Sequence, residues 1–483
     1  MKNRDEKRKN GEKRRKNREL YLCAGLFVCL FSLAGGYLAY EAVANREAMF
    51  NNSYNSRQRV LAGENTRGTI YAGSGEVLAA TVTGEDGKEI RQYPYGAEFA
   101  HVVGYTGKGK TGIEELENYW LSNTDISGRE QLQNELEGRK NPGSDVYTTL
   151  DTALQEAAGD ALGLYRGAVV VTEVKTGRIL AMVSKPDYDP NRIAEDWEKL
   201  NQEEEAASLL NRATQGLYPP GSTFKIVTAL AYIRQFPDTW QRYQFTCTGS
   251  YTHGDSRIRC YHGSVHGQVD LMSSFAKSCN SSFANLGMSM DRGLFGETID
   301  SLMFHQELPL DLPYKQASVS LSETSTDDEV IQTAIGQGTT QITPVHLNLI
   351  TAAVANGGKL MRPVLVDRVE GASGRILREN NPSVYRELMT EEEAGILTSF
   401  MEDVVQEGTG RKLKDRPYTA AGKTGSAEFS EEKGESHAWF TGFAPAEDPE
   451  IAVTVIVEKA GSGSDYAVPL ARQVFDAWFA NRS

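Results

Sequence analysis

A serine hydroxyl is a weak nucleophile until a neighbouring group takes its proton, so a serine and a lysine one helical turn apart form a chemically meaningful pair. Ser222 and Lys225 have that spacing, within Tyr218-Pro219-Pro220-Gly221-Ser222-Thr223-Phe224-Lys225. The prolines cannot extend a helix backwards, so Gly221 or Ser222 begins one. The continuation from Ile226 to Ile233 is apolar nearly all round apart from Thr228, which predicts a buried helix. Residues i and i+3 share a helical face. A desolvated lysine there loses its proton more easily and can accept one from the serine. The helix N-terminus also favours negative charge developing beside Ser222.

The S-x-x-K pattern alone selects nothing, because Ser274–Lys277 and Ser430–Lys433 share it. K-T-G occurs at Lys110, Lys175 and Lys423, and S-x-N at Ser53–Asn55 and Ser278–Asn280. Order and context choose among them. Ser53 lies in a stalk, Lys110 in a first module, and Lys175-Thr176-Gly177 reads as a hairpin turn. One ordered set follows the buried helix: Ser222/Lys225, then Ser278-Cys279-Asn280, then Lys423-Thr424-Gly425.

S-x-x-K, S-x-N and K-T-G in that order are the signature of serine penicillin-recognising enzymes. The chain resembles class B penicillin-binding proteins, membrane-anchored D,D-transpeptidases, and within them the short penicillin-binding protein A subtype. Further residues carry the resemblance: Asp189-Pro190-Asn191, Gly336-Gln337-Gly338, Thr343-Pro344, Ala355-Asn356-Gly357-Gly358 and Trp439-Phe440-Thr441-Gly442. In the first module Arg67-Gly68-Thr69-Ile70, Tyr93-Pro94 and Thr111-Gly112-Ile113-Glu114 also fit. Ala72-Gly73 stands where many class B members carry Asp-Arg, a departure that concerns subtype.

The resemblance implies a role for each matched position. Ser222 would attack the carbonyl of the penultimate D-Ala of a peptidoglycan stem peptide, with Lys225 as base. Ser278 would relay a proton to the leaving amine, and Asn280 would bond the substrate backbone and Lys225. Lys423 and Thr424 would hold the terminal carboxylate, with Gly425 allowing close approach of the strand. Backbone N–H groups of Ser222 and Ser426 would form the oxyanion hole. Implied partners are stem peptides, β-lactams that acylate Ser222, and a RodA/FtsW-type membrane polymerase; no cofactor or metal is expected. The E-x-x-L-N motif with which class A β-lactamases deacylate is missing beyond Asn280. A D,D-carboxypeptidase or a low-turnover penicillin-binding sensor or scaffold shares the three motifs and stays as the alternative.

These residues need elements to position them. Residues 146–150 read as a strand, and Asp151 as the N-cap of an Ala-rich helix from Thr152. Residues 167–174 and 178–184 read as a hairpin. A helix-rich middle extends to about residue 410, followed by strands near 438–443 and 450–457 and an amphipathic helix over 466–479. Sequence-distant strands with helices between them predict one sheet covered by helices, a mixed α/β architecture. The resemblance makes it a five-stranded-type antiparallel sheet with an all-helical subdomain. The expected division is a basic tail (1–19), a membrane anchor (20–40), a stalk and small β-rich pedestal (41–145) and a transpeptidase domain (146–483). Residues 41–145 are too few for a glycosyltransferase domain.

The 483 residues carry a net charge of −14, which disfavours a general nucleic-acid partner. Residues 1–19 nevertheless hold ten Lys/Arg against four Asp/Glu, and residues 20–40 hold no charge. An uncharged run of that length suits a single membrane crossing, with the basic tail cytoplasmic and everything beyond it outside. Ala42-Val43-Ala44 offers the rival reading of a cleaved signal, against which the apolar run exceeds the usual 7–15 residues. Cys247 and Cys260 bracket a turn-rich segment and Cys279 follows, with His253, His262 and His266 nearby. A disulfide, free thiols and a metal site all stay open, although no pair has C-x₂₋₄-C spacing. His437 and Asp327-Asp328-Glu329 read as structural, the latter as a solvated acidic loop.

Overall fold

The computed structural model describes residues 2–51, 57–85, 87–203, 206–428 and 435–480. Ser53–Asn55 and Ser430–Lys433 therefore lie outside the described residues. Two compact units divide at Glu64 and Asn65. In the first, one helix, Lys2–Ala44, runs through the uncharged stretch with its apolar side chains exposed, Phe31 and Leu33 among them. Among the described residues it is the one helix long and apolar enough to cross a membrane.

The second unit contains two principal sheets. The smaller has six strands in the order 376–379, 366–370, 145–148, 70–71, 77–83 and 89–92. It is held by a buried carboxylate: Glu114 accepts from Arg67 Nε and from Arg91 Nε, each at 2.7 Å. Arg67 Nη1 also donates to Asn118 Oδ1 at 2.7 Å. The R-G-T-I and T-G-I-E segments are thus two halves of one ion-pair network. The boundary expected at 145/146 falls inside a strand of this sheet, and two strands come from after residue 360. The helix-rich middle accordingly differs from expectation, since short strands interrupt it at 245–269 and 359–387.

The larger sheet is antiparallel, with strand order Ala421–Glu428, Ser436–Ala444, Ile451–Val457, Gly167–Glu173, Ile179–Lys185. Its strands Ser436–Ala444 and Ile451–Val457 are buried on both faces, so apolar residues occupy both faces instead of alternating with exposed polar ones. Neighbours along one strand still enter opposite cores: Val453 and Val455 pack with Leu154, Val474 and Phe475, while Ala452 and Ile456 join the core containing Ile350 and Val227. Helices Thr152–Leu162 and Ala467–Ala480 cover one face, and the wholly buried Pro344–Ala355 the other. Asp151 caps the first through its side chain, accepting from Leu154 N at 2.8 Å. Around Lys225–Gln235 gather helices 271–276, 280–289, 292–301, 327–334 and 391–406. Asp327-Asp328-Glu329 belongs to one of them rather than to a loop. Thr326 caps it with Glu329 in a reciprocal capping box, and the acidic residues fill its first turn, where the helix dipole favours them.

Candidate active site

The turn that presents Ser222 forms because its glycines combine a left-handed backbone with approaches too close for a Cβ. Gly221 has φ +53°, and a Cβ there would stand 2.9 Å from Ser426 O. Gly336, at φ +71°, donates no side chain to the space behind it, where a Cβ would meet Gly221 O at 2.1 Å. Its carbonyl accepts from Gly221 N at 2.9 Å, so the Gly336-Gln337-Gly338 loop buttresses the turn. Residues 221–224 form a 3₁₀ turn that passes into the α-helix at Lys225. In 3₁₀ geometry i and i+3 eclipse, so Ser222 and Lys225 keep the common face predicted for an α-helix. Trp439 Nε1 fixes the approach by donating to Pro219 O at 3.1 Å.

Lys225 is fully buried, and its Nζ donates to Asn280 Oδ1 (2.7 Å), Ser278 O (2.8 Å) and Ser278 Oγ (3.3 Å). Its amine thus rests against the S-x-N motif rather than against Ser222. Burial pushes the Lys225 amine down to about 7, with the Cys279 and Cys260 sulfurs acting in the opposite direction. Lys423 Nζ approaches the same hydroxyl from the neighbouring strand, donating to Ser278 Oγ at 3.0 Å. Burial, and then the Lys225 charge, hold Lys423 well below the usual lysine range. Ser278 Oγ therefore lies between two buried amines. To do so Ser278 adopts φ +56°, a left-handed conformation that costs a non-glycine residue of order 1 kcal/mol.

Gly425 lets its strand lie against the turn, since a Cβ would meet Pro220 O at 2.9 Å and Thr223 Cγ2 at 3.1 Å. Ser426 follows, its Oγ accepting from Gly463 N at 3.2 Å. Thr424 Oγ1 is 2.5 Å from Thr409 Oγ1, a residue outside the three motifs. Its signal is the Gly408-Thr409-Gly410 tripeptide directly after a helix; a Cβ on Gly408 would strike Ala276 O at 2.2 Å.

Among the described residues, the competing copies at Ser274–Lys277 and Lys175–Gly177 have other partners. Ser274 is buried with its hydroxyl on Ser282 Oγ at 2.7 Å, while Lys277 is exposed. Lys175 sits in the hairpin turn, 3.6 Å from Asp448. His437 is buried with its ring edge-to-face against Tyr218, and burial lowers it to about 4, so it is neutral. Cys247, Cys260 and Cys279 are free thiols, with Cys247 and Cys260 sulfurs 3.6 Å apart. The expectation of no metal ligands rested on short-range spacing; the fold nevertheless converges these three cysteines with His266, whereas His253 turns to Asp327.

Residues 167–476 match the penicillin-binding protein transpeptidase domain, and residues 67–146 the penicillin-binding protein A dimerisation domain. The peptidoglycan D,D-transpeptidase PbpA of Mycolicibacterium smegmatis is 35% identical over 460 residues, covering 87% of this chain and 91% of that protein. Among solved structures, the D,D-transpeptidase domain of an Eggerthella lenta peptidoglycan glycosyltransferase superposes with TM-score 0.78 at 30% identity, covering 87% of this chain and 99% of that one. Penicillin-binding protein A of M. tuberculosis, solved as a ceftriaxone acyl-enzyme, does so with TM-score 0.78 at 30% identity, covering 86% and 99%.

Proposed function

We infer from one premise, that this chain belongs to the penicillin-binding protein transpeptidase family, that it is a peptidoglycan D,D-transpeptidase working through a Ser222 acyl-enzyme. The observation that carries the site assignment is Ser278 Oγ held between Lys225 Nζ and Lys423 Nζ beside the Ser222 turn. Ser222 Oγ attacks the carbonyl carbon of the penultimate D-Ala and passes its proton to the neutral Lys225 amine. The oxyanion is received by the N–H groups of Ser222 and Ser426, each donor worth about 3–4 kcal/mol. The C–N bond then breaks, and the departing D-Ala amine takes a proton relayed from Lys225 through Ser278. Asn280 keeps Lys225 aligned. Lys423 and Thr424 hold the terminal carboxylate, whose charge restores the Lys423 proton that burial disfavours. A neighbouring stem amine attacks the ester next and gives its proton to Lys225; the acyl C–O bond breaks, Lys225 returns that proton to Ser222 Oγ, and the cross-link is formed.

A β-lactam enters the same sequence, but its broken amide stays tethered and blocks the second half. The relatives solved as acyl-enzymes with ceftriaxone, imipenem and penicillin G support this reading. The organisation follows: a cytoplasmic tail over 1–19, an anchor over 20–40, and a pedestal and catalytic domain outside the membrane. Glycan strands come from a separate RodA/FtsW-type polymerase.

Donor and acceptor stem mimics supplied together to the full chain in detergent test the reaction, with dimer and hydrolysis products counted separately. Dimers as the main product are expected. Hydrolysis alone would make it a D,D-carboxypeptidase, and penicillin labelling without either product a sensor or scaffold. Ser222→Ala should abolish labelling and leave the melting temperature unchanged.

A further inference from the structure

Between the Ser222 helix and the S-x-N motif the chain forms a small lobe, residues 245–269, of two short antiparallel ladders: 245–247 with 267–269, and 250–253 with 256–259. Such a lobe should have an apolar core, and it has almost none. The buried cluster beneath it consists of its Cys247 and Cys260 with Cys279 of the S-x-N motif, and Phe245 packs against it. Below a certain size a module needs a covalent or metal staple in place of a core.

The sulfurs are arranged for the second of these. Cys247 Sγ lies 3.6 Å from Cys260 Sγ, Cys260 Sγ lies 3.8 Å from Cys279 Sγ, and His266 Nδ1 lies 3.4 Å from Cys247 Sγ. All four ligand atoms fall within 4.8 Å of one another. A tetrahedral zinc with Zn–S near 2.3 Å and Zn–N near 2.0 Å sets S···S edges of about 3.8 Å and S···N edges of about 3.5 Å. The three close edges match those lengths. A disulfide between Cys247 and Cys260 would use two of the groups and leave a thiol and an imidazole converging for no reason. Hydrogen bonds suited to thiolates also point at the sulfurs: Gly249 N donates to Cys247 Sγ and Ser282 N to Cys279 Sγ, both at 3.4 Å. Ser281 Oγ lies 3.2 Å from Cys260 Sγ. Cys279 in addition occupies the N-cap of helix 280–289, where negative charge is favoured.

We propose that Cys247, Cys260, Cys279 and His266 Nδ1 bind one Zn²⁺, which staples the 245–269 lobe to the S-x-N turn. Three thiol–hydrogen bonds give way to three zinc–sulfur bonds, and the three protons pass to solvent. Soft sulfur donors with one imidazole in tetrahedral array select zinc over the hard divalent ions. All four ligand positions come from the protein, so the ion is structural and carries no reacting group. Its leverage on catalysis is positional. Cys279 stands between Ser278, held at φ +56°, and Asn280, whose Nδ2 donates to Arg259 O of the lobe at 3.1 Å. The zinc site does not depend on the proposed reaction, because its content can be measured on protein that never turns over.

The full chain, purified in detergent through a tag without histidine and without chelator, should contain about one zinc per molecule by mass spectrometry. Cys247→Ser and His266→Ala should each lower that content at least fivefold, and His266→Cys should retain it. Cobalt introduced into the unmodified chain should give thiolate charge-transfer bands and the intense visible absorption of a tetrahedral site, which needs no variant to fold. Removing the metal should slow penicillin acylation at Ser222 by about tenfold or more, restored by zinc, as loss of a positioning shell does elsewhere. A metal-free chain, a Cys247–Cys260 linked peptide in a non-reduced digest, or an octahedral cobalt spectrum would overturn the site. Unchanged acylation after zinc removal would overturn its hold on the S-x-N turn.

Discussion

The role proposed for Lys225 requires its uncharged form, which complete enclosure of the amine favours. With the amine near 7, the neutral fraction grows as pH rises through that value and is nearly complete one unit above it. An ordinary lysine would reach the same fraction only above pH 10. The penicillin acylation rate should therefore climb about tenfold per pH unit below 7 and flatten above it, as stopped-flow labelling across pH 5 to 9 would show. Lys225→Arg, which cannot deprotonate, should cost about 10²–10⁴-fold and remove the climb; a retained climb would move the base elsewhere. At Thr424 the hydroxyl partner is Thr409, and Thr409→Val should leave it short of one hydrogen bond, a loss of about 1–3 kcal/mol where buried. That should appear as a weaker dependence of labelling on the drug's carboxylate. The nucleophile, S-x-N and K-T-G residues were legible because their order is unusual even though each motif recurs. Thr409 was not, because its one sign, a Gly-Thr-Gly run after a helix, is equally ordinary loop chemistry.

At the scale of elements, what was legible is what periodicity and turn chemistry encode. The 167–184 hairpin, the Asp151-capped helix and the closing strands 436–444 and 451–457 pair as their apolar runs require. The 245–269 ladders were illegible for a physical reason: nearly all their residues are half-buried or exposed, and sulfur takes the place of the apolar side chains that would mark strands. The six-stranded sheet shows the same limit, since its strands are short and two are recruited from after residue 360. Within it Glu114 balances Arg67 and Arg91 without access to water. Glu114→Ala would strand two guanidinium groups and should cost about 3–5 kcal/mol. Calorimetry should show an early transition confined to this module, with penicillin labelling of Ser222 surviving below it. Labelling lost at the same temperature would mean the two sheets unfold as one.

For the molecule as a whole, the deciding feature is a charge asymmetry that no folded contact records. Ten basic residues precede an uncharged run, and the chain beyond is strongly acidic. Orientation follows the Lys/Arg excess beside the span rather than net charge, because short basic flanks resist translocation while long acidic domains do not. The apolar helix is exposed along its length, which suits the proposed anchor, whose burial would come from lipid. About twenty residues at 1.5 Å each cover the roughly 30 Å hydrocarbon core once. A cysteine-reactive reagent that cannot cross membranes should then label a cysteine placed at Ser74 in intact sphaeroplasts and spare one placed at Asn10 until the membrane is opened. Replacing the basic residues of 2–18 by glutamine should reduce Ser74 labelling as chains begin to insert the other way or fail to insert. Labelling of Asn10 from outside in the unmodified chain would put the catalytic residues on the wrong side of the membrane for stem peptides already exported, and the cross-linking role would fall with it.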